Sequence, residues 1–252
     1  MGGLVLTSAL FACGGSSSKP DVVKITPGPT VVATTSLLDL QRYHYVASLT
    51  LSGAGPDNKP AQVAVSTEGD FQSPDRHAFT YKTQIQGVNV SQSAVVIGDK
   101  IWMRQGTAAW RAASPADTQT QTLLATAFSP IRPNFLGGSD WPRVLDAVRS
   151  LPSTPEFVND IRTLHYQVGP EGEQFIRSFL ADQQLFQQVQ DLHWDLWLAE
   201  DGDWPVRLDA RGTVTADLQI IRDLGLKAPT TWELRIDISR PNDPKVSVTA
   251  PG

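Results

Sequence analysis

The chain of 252 residues is 40% hydrophobic and 19% charged, a balance that supports a sizeable core and excludes global disorder. Its formal net charge of −5, from 21 Lys plus Arg against 26 Asp plus Glu, supplies no positive field for phosphates and argues against nucleic acid as a partner. A single cysteine, Cys13, excludes an intrachain disulfide and a cysteine-built metal cage.

Leu4 to Ala12 is an apolar run too short to cross a bilayer, which needs about 20 residues, and of the length of a signal h-region. It ends in Leu10-Phe11-Ala12-Cys13, which resembles the bacterial lipobox, with a small residue at the cut and a cysteine after it. That resemblance implies cleavage after residue 12 and a lipid-bearing Cys13, which would anchor the chain to a cell membrane on its extracytoplasmic side. Met1-Gly2-Gly3 carries no basic residue, a departure that bears on the start codon. The alternative is an apolar end with an incidental buried cysteine. Placement weighs against it, because Gly14 to Pro20 and Pro27-Gly28-Pro29 follow as a Gly/Ser coil stiffened by proline. Residues 13–36 therefore read as a tether.

From Leu37 the pattern has period two. Tyr43, Tyr45, Ala47, Leu49 and Leu51 share one face of a strand, and Ala61 to Val65 resumes the alternation after a break at Gly53 to Pro60. Asp75 to Gln86, Ser91 to Ile97, Lys100 to Gln105 and Ala108 to Ala112 continue it as a meander, with Gly98-Asp99 and Gly106-Thr107 as turns. Thr118 to Phe128 and Asp140 to Leu151 have helical spacing; the second places Trp141, Val144, Leu145 and Val148 on one face behind the capping candidate Ser139. Phe157 to Val168 reads as one strand and Glu171 to Val189 as the longest helix, with Phe175, Phe179 and Phe186 apolar. Leu192 to Leu198, Trp204 to Thr215 and Thr231 to Ser239 are strands. Trp194 and Leu196 share a face on the first of these, as do Trp232 and Leu234 on the last.

This order predicts an α+β fold: one strongly curved antiparallel sheet, a half barrel, with helices covering its concave face. With no internal repeat and no second linker, residues 37–252 form one domain.

The Gly-x-Ser-x-Gly elbow, HExxH and the phosphate-binding loop are all missing from the sequence, so no catalytic residues, metal or cofactor are assigned. His44, His77, His165 and His193 are far apart and read as satisfied or solvent-facing side chains. Glu200-Asp201-Gly202-Asp203 reads as a hairpin turn and not as a calcium loop, and Asn89-Val90-Ser91 as a chance sequon. Trp102, Trp110, Trp194, Trp197 and Trp204 fall on both faces of predicted strands, where amphipathic rings suit a cavity rim or an ordinary surface equally.

Several segments carry a family resemblance. Gly98 to Met103 followed by Trp110-Arg111, Leu164 to Val168, Asp195 to Arg207 and the ending Ile236 to Pro244 resemble the LolA-like lipoproteins, especially the LppX/LprG lipid-binding group. The resemblance covers about Leu37 to Pro251 and rests on pattern and order. It implies a half barrel wrapped around helices, with a hydrophobic cavity that accepts a lipid or acyl chain for transport or chaperoning across the cell envelope. Tyr43, Tyr45, Leu49, Trp102, Phe175, Phe179, Trp194, Leu196, Trp232 and Leu234 are the candidate cavity residues, although sequence does not separate lining from packing. Three rival readings stay open: a sensor or regulator on the same fold with an envelope protein partner, a structural interaction lipoprotein, and a hydrolase with a scattered Ser-His-Asp site.

Overall fold

The computed structural model describes residues 36–128, 141–169 and 188–252. Of two compact units, Met1–Val32 and Ala33–Gly252, all of these residues belong to the second. The signal segment, Cys13 and nearly all of the tether lie outside the described residues, as do Phe175, Phe179, Ser139 and the predicted helix from Glu171, apart from its last two residues, Gln188 and Val189.

Eleven strands make one open antiparallel sheet. The first six are β1 (Arg42–Ala54), β2 (Pro60–Gln72), β3 (Arg76–Ile85), β4 (Val88–Ile97), β5 (Lys100–Gln105) and β6 (Arg111–Ala113). The rest are β7 (Ser153–Val158), β8 (Ile161–Val168), β9 (Val189–Ala199), β10 (Pro205–Val214) and β11 (Lys227–Ser239). Their spatial order is β6-β5-β4-β3-β2-β1-β11-β10-β9-β8-β7. Two meanders thus run outward from the centre, joined where the first strand pairs with the last, from His44 opposite Ser239 to Ser52 opposite Thr231. The meander expected for the first half is there, and an open antiparallel sheet of this size fits the predicted half barrel.

The predicted strand Phe157 to Val168 is two strands. Asn159 and Asp160 take positive φ, 52° and 63°, and form a two-residue hairpin turn between β7 and β8. β2 also runs seven residues past the predicted Val65, through Ser66, Glu68, Asp70 and Gln72, because polar side chains fill its other face.

Three described helices are α1 (Thr118–Phe128), α2 (Trp141–Arg149) and α3 (Gln219–Asp223). The Asp117 carboxylate accepts from the Thr120 backbone N–H at 3.0 Å and caps α1. Leu123 of α1, Trp141, Leu145 and Val148 of α2 and Ile221 of α3 join one buried cluster with the sheet residues Tyr45, Ala47, Trp194, Leu196, Trp232 and Ile236. The Thr120 hydroxyl donates to Asp117 Oδ2 at 2.9 Å and lies 3.5 Å from Met103 Sδ, which seats α1 beside β5, and Arg149 of α2 pairs with Asp203 in the β9–β10 turn.

Candidate functional site

Strand register divides the sheet into two chemically different faces, because alternate residues point to opposite sides. Large and small side chains interlock on the apolar face. Tyr45 lies opposite Gly69, Ala94 opposite Met103, and Ile236 opposite Ala47. On β10, Ala210 faces Trp194 and Gly212 faces Trp232, which leaves room for the two indoles to lean over the strand until their centroids are 6.4 Å apart.

One transverse row on this face is not filled. Leu234 of β11 pairs with Leu49 of β1, Leu49 with Val65 of β2, Val65 with Thr83 of β3, and Thr83 with Val90 of β4. Every member keeps partial exposure, rising to 37% at Val90. The row on one side, Ile236-Ala47-Thr67, is fully buried, with exposures of 1%, 1% and 2%; so is the row on the other, Trp232-Leu51-Val63, at 0%, 3% and 2%. Across β11, β1 and β2 the result is a partly accessible apolar row, a shallow trough between covered rows; on β3 and β4 the flanking Tyr81, Ile85 and Val88 are partly or largely exposed as well. The covered rows are four residues apart along β1, about 13 Å.

The candidate cavity residues divide accordingly. Tyr43, Tyr45, Trp194, Leu196 and Trp232 are buried in the packed rows, while Leu49 and Leu234 lie in the trough. Trp102 is the exception, since it pairs with Val95 beside the apolar pair Ala94 and Met103. One step along the strand reverses the face, so Trp102 points to the polar side and is separated from the other seven. Val65 is a trough residue that sequence reasoning missed, with Thr83 and Val90 continuing its row toward the sheet edge. Each sits on an alternating strand, but only the register aligns them with Leu49.

The polar face carries ordered ion pairs. His165 of β8 has Nδ1 3.0 Å from Glu156 Oε1 and Nε2 2.9 Å from Asp195 Oδ1. Its ring stacks on Trp197 at 4.1 Å with an interplanar angle of 7°. The Trp197 indole donates to Glu156 Oε2 at 2.8 Å, and the Arg207 guanidinium lies 5.7 Å from the Trp197 ring centroid. The indole hydrogen bond, then the His165 contact, hold the Glu156 carboxyl below the usual carboxylate range. Arg235 makes a two-pronged contact with Asp209 at 2.7 and 2.6 Å. His44 Nδ1 is 2.8 Å from Asp70 Oδ1 and its Nε2 is 3.8 Å from Glu68 Oε1. With carboxylates at both ring nitrogens, His165 has none left to activate a serine, whereas His44 is hydrogen-bonded to a carboxylate only through Nδ1. Among the described residues no group of three or more His, Cys, Asp or Glu could hold a metal ion.

No family model matches the sequence, and no curated protein matches it either. Solved structures do match. One is a LolA superfamily protein from Nitrosomonas europaea, 11% identical at a TM-score of 0.30, covering 84% of this chain and 91% of that one. A DUF1329 family protein from Desulfovibrio piger is 12% identical at a TM-score of 0.23, covering 83% and 88%. An outer membrane lipoprotein-sorting protein domain from Vibrio parahaemolyticus is 11% identical at 0.22, covering 80% and 86%. Among the described residues no helix is long and apolar enough to cross a membrane.

Proposed function

We propose that this chain is a membrane-anchored bacterial lipoprotein that binds a lipid or acyl chain on the apolar face of its sheet. Helices close over that face, and the chain carries or chaperones its ligand across the cell envelope. The supporting observation is the row Leu234-Leu49-Val65, accessible between two buried rows. Apolar side chains at the centre of a sheet are normally covered, and leaving three adjacent ones open forgoes burial worth about 25 cal/mol per Å². A bound chain restores it.

No polar anchor is needed. Each methylene removed from water contributes about 0.8 kcal/mol, so ten give about 8 kcal/mol, enough to offset much of the cost of ordering a flexible ligand. Among the described residues Leu234, Leu49 and Val65 are purely apolar, and the role we assign to them is binding. Cys13, lipidated, holds the domain at the extracytoplasmic face of the cell membrane through residues 13–36.

The test is to purify the domain without residues 1–13 from a native-like bacterial host and extract it for mass spectrometry. Stoichiometric co-purifying lipid is expected. A protein that emerges empty and takes up no fluorescent fatty acid on titration would overturn the reading.

A further inference from the structure

The polar face contains a second hollow, of about 350 Å³, lined by residues of β1 to β5 and by Trp110. Its floor is built from small side chains in register. Glu68 pairs with Thr80, Thr80 with Ser93, and Ser93 with Arg104, so one row runs from an acid on β2, over two hydroxyls, to a guanidinium on β5. Ala78, two residues along β3 on the same face, keeps the floor low. Tall side chains wall it: His44, Glu68 and Asp70 at one end, Arg104 and Trp110 at the other, with Lys82 beside them.

The two ends differ in how well they are satisfied. At the acidic end the Asp70 carboxylate is engaged by His44 at 2.8 Å, and Glu68 is 3.8 Å from the same ring. At the basic end, the Arg104 guanidinium lies 4.6 Å from the Trp110 ring centroid, and its Nε is out of contact with solvent and has no hydrogen-bond partner. Among the described residues neither Arg104 nor Lys82 has a carboxylate partner, in a chain with an excess of acids. An arginine with five donors and an aromatic plane beneath it is pre-organised for a planar or tetrahedral oxyanion. The Thr80 and Ser93 hydroxyls lie 3.1 Å apart. Two hydroxyls carry two protons and their mutual bond uses one, so the other is free to donate.

We propose that this hollow is a binding site for a phosphate-type oxyanion, held by Arg104 and steadied by Lys82 and the Thr80–Ser93 pair. It lies on the face opposite the trough and does not rest on the lipid reading. The same chemistry is offered by free inorganic phosphate and by the head group of an anionic phospholipid.

The full chain, with indole nitrogens labelled, would be titrated at constant ionic strength in chloride with inorganic phosphate and, separately, with phosphatidylglycerol vesicles, using phosphatidylcholine vesicles as control. A saturable shift or broadening of the Trp110 indole resonance is expected in one arm or both. Response to phosphate indicates a free anion, and response to the anionic vesicles alone indicates the head group. Arg104→Gln is expected to weaken the response roughly tenfold or more, as for loss of a charged hydrogen-bond donor, and Lys82→Gln about two- to fivefold, as for a rim charge. Arg104→Lys, which keeps the charge but loses the fork, should fall between. The proposal is overturned if neither probe moves the Trp110 signal in the wild-type chain, or if all three variants, folded by circular dichroism, respond as the wild type does.

Discussion

Gly69 shows how one position determines the packing around it. A Cβ there would run into the Ala78 carbonyl and lie 2.7 Å from Phe79 Cβ and 2.8 Å from the Tyr45 hydroxyl, so the Tyr45 ring occupies space that only glycine leaves. Gly69→Ala is expected to lower stability by about 1–3 kcal/mol, read as a lower urea midpoint at unchanged slope. His77, packed at 5.0 Å from the Phe71 ring, acts through its charge. Burial pushes its pKa down to about 4 from 6.5, against a smaller opposing effect of Asp75. The unfolded chain then binds a proton that the folded one refuses between those values. His77 thus contributes stability that is full above pH 6.5 and is lost as the pH falls toward 4. His77→Phe should flatten that part of the stability profile by about 2 kcal/mol, measured by urea unfolding at pH 7 and pH 4.5. An unchanged profile would show that His77 charges freely in the fold.

Among the elements, the segment after β11 is unusual in holding the polar face of the central strands. Asn242 Oδ1 accepts from the Gln41 and Arg42 backbone N–H groups at 2.7 and 3.3 Å. Arg42 donates to the carbonyls of Pro244 and Val246, and Arg76 to that of Val248. Val246 and Val248 are buried at 0% and 1% but lie outside the main cluster. Ending the chain at Arg240 should therefore cost about 3–5 kcal/mol, from two buried valines, and heat denaturation would show it as a lowered midpoint. Nothing in Lys245-Val246-Ser247-Val248 marks it in sequence as more than a short alternating tail. What sequence does show is local. Alternation located most strands, and β5 and α1 occupy the predicted residues. Asn159-Asp160 escaped notice because Phe157, Ile161 and Leu164 keep an apolar rhythm through the turn, and only the positive φ angles break the strand. Pairing of β1 with β11 is a contact between residues nearly two hundred positions apart, and periodicity carries no information about partners. The same limit hid Val65 and Thr83 beside Leu49, and put Trp102 with the apolar set when its register sends it to the other side.

Taken as a whole, the sheet separates two tasks by face, with charged and aromatic pairs on one side and an incompletely filled apolar surface on the other. The ion pairs need no ligand. Arg207 meets Asp237 at 2.7 Å and Arg235 meets Asp209 at 2.6 Å, which ties β10 to β11 whether or not anything sits in the trough. On the proposed reading, holding the scaffold from the polar side would let the row through Leu49 stay accessible without collapse. A paired substitution tests this division. Leu49→Trp adds bulk where space exists, so its stability should stay within about 1 kcal/mol of the parent. Ala47→Leu, two residues away in a row with no room, should cost about 1–3 kcal/mol. Ligand uptake should reverse the order: Leu49→Trp occupies the trough and is expected to weaken fluorescent fatty-acid binding by roughly tenfold or more, about the burial of two methylenes. Ala47→Leu, assayed below its unfolding midpoint, should bind nearly as the parent does. If both variants lose stability equally and binding does not distinguish them, the accessible row is ordinary core and the trough does not exist as a site.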